Sequence, residues 1–317
     1  MRPLQLLPEP LGPGATVALV APASPITEES LSRGVERLRA MGLDVRVGAR
    51  VLERTGFLAG SDAERLADLT WAFTAPGIDA VWAARGGYGC GRIVDDLPWA
   101  EIERAPRPFI GLSDVTALHL ALARHGIPSF HGPMPCAMEG WSPFAVSSLT
   151  TVLRENPVPY CLGEVPPEEF AAEDVPVCRV LRGGIVEAPL VGGNLTLIAA
   201  ACGTPTEMEA EGHILFLEDV GESPYRLDRY LGQLSRSGAL GRAAGIALGT
   251  YVRCEADEGP TALEVVRSWV LPLGVPALEG LPLGHGKVTS AVPLGVRVRL
   301  DADAACLTVL ESPFAGR

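Results

Sequence analysis

The sequence predicts an α/β protein of two domains, an N-terminal parallel sheet covered by helices and a second, α+β domain. Three observations predict it. Apolar, β-branched runs alternate with amphipathic helical stretches throughout the first half of the chain, the pattern of βαβ units. A proline- and acid-rich stretch then breaks that alternation. Finally, 317 residues exceed what one ordinary core holds together.

The elements run as follows. "ATVALVAPAS" (15–24) reads as a strand and 27–41 as a helix with Leu31, Val35 and Leu38 on its apolar face. "DVRVGARV" (44–51) is a second strand, and 61–75 is a helix with Leu66, Leu69 and Phe73 along one side. "GIDAVWAA" (77–84) is a strand, "CGRIVDDL" (90–97) a short helix, and "RPFIGL" (107–112) a strand. Five prolines and six acids in 155–176 give linker composition, which divides the chain into domains at 1–154 and 177–317. Beyond it come the strand "HILFLED" (213–219), a helix near 224–235, the strand "GIALGTYV" (245–252) and a helix near 260–270. "GVRVRLDADAACLTVL" alternates like an antiparallel hairpin.

Composition narrows the function. A net charge of -12 disfavours nucleic acid or an anionic membrane as partner. Of 26 basic residues only Lys287 is a lysine, so a local cluster of arginines is expected to meet any anionic substrate. Seven scattered cysteines without a Cys-x-x-Cys pair suggest neither a disulfide framework nor a zinc site, and point to a reducing compartment. The N-terminus has prolines where a signal peptide needs an apolar core, and no run approaches a membrane span. A cytoplasmic location is therefore expected.

The polar residues that could do chemistry gather at predicted strand ends. "PFIGLSDVTALHLALARHG" (108–126) places Ser113 and Asp114 where a strand turns into a helix. Ser113 is either an N-cap or a nucleophile raised on a tight turn. One strand–helix–strand unit earlier, "AARGGYGCGR" (83–92) carries Gly86 and Gly87, which free two backbone N–H groups. A right-handed crossover brings both turns to the same sheet edge, where α/β proteins bind ligands.

A serine needs a base. His119, His125 and His213 read as structural, whereas His131 in "SFHGPMP" could line a pocket. His285, between Gly284 and Gly286, lies on a turn with no packing role to explain it. The strand "ILFLEDVGE" ends in Glu218 and Asp219, and alternation puts Glu218 on the inward face with Ile214 and Phe216, suited to orient a histidine.

"RGGYGCGR", "FIGLSDVTALH", "HGPM", "GGNLTLIAAACGTP", "LFLEDVGESPYRLDRYLGQL" and "GHGKVTSAVPLG" together resemble the LD-carboxypeptidase family of serine peptidases, in order from about residue 15 to 300. That family includes muramoyltetrapeptide carboxypeptidases and microcin C immunity proteins. The resemblance implies an N-terminal domain like the class I glutamine amidotransferases, a smaller β-rich C-terminal domain, and a homodimer. It implies a catalytic Ser113, Glu218 and His285 and an oxyanion hole from the N–H groups of Gly86 and Asp114. No metal or cofactor is expected, since the acids at 218, 219 and 222 have no nearby histidine or cysteine at ligand spacing. The implied reaction is release of the terminal D-alanine from a cytoplasmic muropeptide during peptidoglycan recycling. Gly87, Arg85, Arg92 and Arg226 are expected around the substrate. Alternatives are hydrolysis of microcin C-like peptidyl-nucleotides, a Ser113–Lys287 dyad, or a non-catalytic protein binding anionic or sugar ligands.

Overall fold

The computed structural model describes residues 7–138, 140–165 and 176–315. Two sheets organise it. The first half runs β1 (Thr16–Val20), α1 (Glu28–Ala40), β2 (Asp44–Val47), α2 (Asp62–Thr74), β3 (Ala80–Ala83), α3 (Trp99–Arg104), β4 (Phe109–Gly111), α4 (Thr116–Arg124), β5 (Ser129–His131) and α5 (Pro143–Thr150). The second contains β6 (Tyr160–Leu162), β7 (Arg179–Arg182), β8 (Ile185–Asn194), α6 (Leu195–Ala200), β9 (Ile214–Val220), α7 (Pro224–Arg236), β10 (Gly245–Val252), α8 (Ala262–Val270), β11 (Ala277–Glu279), β12 (Val292–Leu294), β13 (Arg297–Asp301) and β14 (Cys306–Val309).

The first sheet has the order β2-β1-β3-β4-β5-β12, parallel except for β12. Apart from the edge strand β2, its strands are buried on both faces, which is why they read as continuous apolar runs. Val17 and Leu19 pack with Leu38 of α1, while Ala18 and Val20 pack with Leu69 and Phe73 of α2 and Leu118 of α4. The helices start where the sequence supplies caps. Thr27 accepts from Ser30 N–H, and Ser61 with Glu64 forms a capping box. The stretch 90–97 forms two short 3₁₀ turns rather than the single short helix expected.

The second sheet has the order β6-β14-β13-β8-β9-β10-β11-β7. Its centre, β8 to β11, is parallel and linked by α6, α7 and α8, so this half repeats the βαβ logic inside an otherwise antiparallel sheet. Leu227, Leu231 and Leu234 of α7 form an apolar stripe that packs on that centre with Val266 of α8.

Two expectations are corrected. The stretch 155–176 is not all linker, because β6 within it pairs with β14; residues 166–175 lie outside the described residues. Cys161 of β6 and Cys306 of β14 form a disulfide, against the expectation that the scattered cysteines make none and mark a reducing compartment. Strand β12 also departs from a simple division, since it follows the His285 turn yet completes the first sheet beside β5. The two halves are thereby pinned together at the strand ends that carry the polar residues.

Candidate active site

Ser113 stands two residues past the end of β4 with φ of 71°, in the left-handed region. A non-glycine residue there costs roughly 1–2 kcal/mol and persists only where the surroundings impose it. The N-cap reading fails, because neither the 3₁₀ turn at 113–115 nor α4 behind it has a side-chain cap. What the turn achieves is presentation of Oγ. It needs small neighbours: a Cβ on Gly111 would lie 2.8 Å from Val115 Cγ2, and one on Gly86 2.7 Å from Ser113 Cβ.

The glycine turn is locked against the serine turn. Asp114, buried, accepts from Cys90 N–H at 2.8 Å. Buried Arg65 donates to the Gly89 carbonyl at 2.8 Å, and the Gly86 carbonyl accepts from Ser24 N–H at 3.3 Å. Gly87 has φ of 118°, and a Cβ there would meet Ser24 Oγ at 2.2 Å. Both turns therefore have one arrangement, with Gly86 facing Ser113 as the crossover argument required.

The acid and the histidine come from the other sheet. Glu218, near the end of β9, is fully buried, and its Oε2 accepts from His285 Nδ1 at 2.6 Å. Gly284 permits this approach, since a Cβ there would sit 2.6 Å from the same oxygen. Burial pushes the Glu218 carboxyl up, but His285 and His131 outweigh it and hold the group below the usual carboxylate range. Burial pushes His285 down, but the charge of Glu218 and its hydrogen bond outweigh that, and its pKa lies above the ordinary value; Arg253 works against them. With Nδ1–H donating to the carboxylate, Nε2 is left with its lone pair.

Asp219 serves a different purpose. Its Oδ1 accepts from Asn194 Nδ2 at 2.9 Å, and its Oδ2 accepts from Thr196 N–H and Oγ1 at 3.0 and 2.8 Å. It ties β9 to α6 and so braces the strand that carries Glu218. Burial, then the charge of Glu218, raises its pKa to about 6.

Ser113 and His285 line one cavity of about 770 Å³, with Gly86 and Gly87 in its wall. Arg85 lines it too, with Nη1 donating to the Pro25 carbonyl at 3.1 Å. Arg92 and Arg226 do not. Arg92 forks onto Asp62 at 2.9 and 2.6 Å, and Arg226 reaches Glu222 at 3.4 Å. Three cations that the sequence reading did not place at a substrate carboxylate, Arg54, Arg253 and Lys287, line the cavity instead, beside Trp141. The signal for Arg253 was available, because it follows the carboxyl end of β10, the same edge as Ser113 and Glu218. Its φ of 53° makes it another strained non-glycine residue at this edge. Arg54 lies in irregular chain before Thr55, with no distinguishing pattern.

His119 and His131 are buried, His125 bonds Glu103 at 2.7 Å, and His213 bonds the Glu211 carbonyl at 2.7 Å. No helix among the described residues is long and apolar enough to cross a membrane.

Residues 17–132 match the model of the LD-carboxypeptidase N-terminal domain, and 187–300 that of the LD-carboxypeptidase C-terminal domain. The chain is 38% identical over 304 residues to the murein tetrapeptide carboxypeptidase of Pseudomonas aeruginosa, covering 90% of this chain and 93% of that one. Among solved structures, it superposes on the muramoyltetrapeptide carboxypeptidase from Oxalobacter formigenes with a TM-score of 0.78 and 29% identity, covering 94% and 100% of the two chains. The fold also matches the microcin C7 self-immunity protein, with a TM-score of 0.89 at 23% identity and coverage of 98% and 100%.

Proposed function

The chain belongs to the LD-carboxypeptidase family of serine peptidases, and on that premise we propose that it removes the terminal D-alanine from a muropeptide through a Ser113–His285–Glu218 triad. The observation that carries this reading is the strained Ser113 turn, opening into the same cavity as a histidine whose Nδ1 is engaged by a buried carboxylate.

In the proposed reaction Ser113 Oγ attacks the scissile carbonyl carbon while His285 Nε2 takes the hydroxyl proton. The imidazolium so formed is stabilised by Glu218. The carbonyl oxygen becomes an oxyanion, held by the N–H groups of Gly86 and Asp114. Collapse breaks the C–N bond, His285 passes its proton to the leaving amine, and D-alanine departs. Water then attacks the acyl-serine by the same steps and restores the hydroxyl. A Ser113–Lys287 dyad is the weaker assignment, because the Glu218 contact leaves His285 ready to act as base.

A carboxypeptidase must hold a terminal carboxylate. In a chain of net charge -12, the four cations lining the cavity support that role, and we assign it to Arg85, Arg253, Lys287 or Arg54. Arg92 and Arg226 are set aside because acids already engage them. The proposal includes cytoplasmic peptidoglycan recycling, a homodimer, and an N-terminal half akin to the class I glutamine amidotransferases. Support for the last point is the parallel sheet with its serine at a strand–helix turn.

One observation favours a second reading. Trp141 lines the cavity and suits stacking on a base, as a peptidyl-nucleotide substrate requires. Comparing turnover of a muramoyl tetrapeptide and an adenylated peptide decides between them. A protein that binds either ligand equally well before and after Ser113→Ala, and turns over neither, is the non-catalytic binder.

A further inference from the structure

His131, which the triad leaves unused, is fully buried and has no hydrogen-bond partner on either ring nitrogen among the described residues. Its Nε2 lies 3.6 Å from Oε1 of Glu218, and that oxygen also lacks a partner. A buried carboxylate with one oxygen unmet is costly, as is a buried imidazole with no bond. The two are complementary, donor to acceptor, and stand about half an ångström beyond hydrogen-bond reach.

We propose that His131 is a positioning residue whose Nε2–H donates to Glu218 Oε1, fixing the carboxylate so that its other oxygen meets His285. This rests on the triad reading. It links Glu218, in the second sheet, to β5 of the first sheet. His131 ends β5 beside Gly111 of β4, the strand that leads to Ser113, and beside Val292 of β12.

The ring is held for this task. It packs edge-on against Phe216 of β9, with centroids 5.0 Å apart at 85°. On β8, Gly193 borders the same ring, a Cβ there falling at an ordinary contact distance of 3.5 Å from His131 Cδ2. The titratable groups facing it are Glu218 from β9 and His119 from α4, whose ring is 5.9 Å away. Burial, and then His131, lower the pKa of His119 to about 3, so it is neutral. His119 Nε2–H donates to the Gly111 carbonyl at 2.9 Å and Nδ1 accepts from Ser129 Oγ at 2.8 Å, which occupies both its nitrogens. Asp219, the next acid, is engaged by Asn194 and Thr196 instead. His131 is not a base for the serine, because it does not line the cavity that Ser113 and His285 share.

The experiment compares His131→Phe, which keeps a ring but loses the donor, with His131→Gln, which keeps an N–H of similar reach. Kinetics on the muramoyl tetrapeptide are read beside those of His285→Ala. For His131→Phe the expected result is a kcat lower by roughly 10- to 100-fold with KM little changed, the loss of one charged hydrogen bond. The acid limb of its kcat/KM profile should move to higher pH, because the Glu218–His285 pair then takes up a proton more readily. His131→Gln should recover part of kcat and move the limb back. A lower melting temperature with wild-type kcat and pH limb in His131→Phe would make His131 a packing residue only and overturn the proposal. Near-normal turnover by His285→Ala would instead remove the triad itself. Should His131→Phe not fold, ¹⁵N NMR of the wild-type protein decides: Nε2 protonated beside a bare Nδ1 is expected, and the opposite tautomer contradicts the donor role.

Discussion

His285 Nδ1 and Glu218 Oε2 stand 2.6 Å apart across 67 residues of chain, the one brought by a glycine-flanked turn and the other by the end of β9. That contact has a pH signature. Glu218 holds the imidazolium against burial and Arg253, both of which favour the neutral ring. A raised histidine pKa means the paired, protonated form is stabilised at low pH, and that this contribution is lost as pH rises through the folded-state value. Activity has the opposite sign, since the base must be neutral. We therefore expect the acid limb of kcat/KM above the ordinary histidine value of 6.5, and below it in Glu218→Gln. Titration of the His285 ring by NMR checks both shifts.

Ser113→Ala and His285→Ala should each lower kcat by about 10⁴-fold or more, with the fold intact. Relief of the left-handed strain is not expected to show in Ser113→Ala, because alanine shares the Cβ penalty, whereas Ser113→Gly should raise the melting temperature while abolishing turnover. A Ser113→Gly protein that melts lower than wild type would contradict the strain at this turn.

Gly86→Ala probes the meeting of the two turns. Its Cβ would sit 2.7 Å from Ser113 Cβ and 3.0 Å from Oγ, so either the serine or the glycine turn must shift. Overpacking of this kind costs about 1–3 kcal/mol. We expect at least a tenfold fall in kcat with modest loss of stability, measured by steady-state kinetics and thermal melting. Wild-type kcat would mean that Gly86 does not shape the oxyanion site.

Alanine replacement of Arg85, Arg253, Lys287 and Arg54, one at a time, should identify the carboxylate-binding cation. Losing a charged hydrogen bond of about 1.5–3 kcal/mol weakens kcat/KM by roughly 10- to 150-fold. Amidating the substrate should cost as much in the wild type and nothing further in the right mutant. Arg92→Ala and Arg226→Ala should change kcat/KM by less than about twofold, as surface pairs contribute little.

The first sheet was legible because β1, β3 and β4 are apolar on both faces and because α1 and α2 open on the caps Thr27 and Ser61. The candidate site was legible where a local pattern encoded it: a serine at a strand–helix joint, a histidine between glycines, an acid on the inward side of a strand. What escaped depends on tertiary pairing. Strand β8 was hidden because it ends in Gly192 and Gly193, poor strand formers that are needed there: a Cβ on Gly192 would lie 1.9 Å from the Phe216 carbonyl oxygen. The return of β12 to the first sheet is a three-residue pairing with no signal of its own. Charge pairing misled the choice of arginines, since Asp62 neutralises Arg92 from 30 residues away.

The most direct test of the central claim is mass spectrometry of a muramoyl tetrapeptide, with free and with amidated C-terminus, after incubation with the wild type and with Ser113→Ala. The account predicts that the wild type releases one D-alanine from the free acid, that amidation slows this by at least tenfold, and that Ser113→Ala releases none. Equal cleavage of the amidated peptide, or continued D-alanine release by Ser113→Ala, would contradict it.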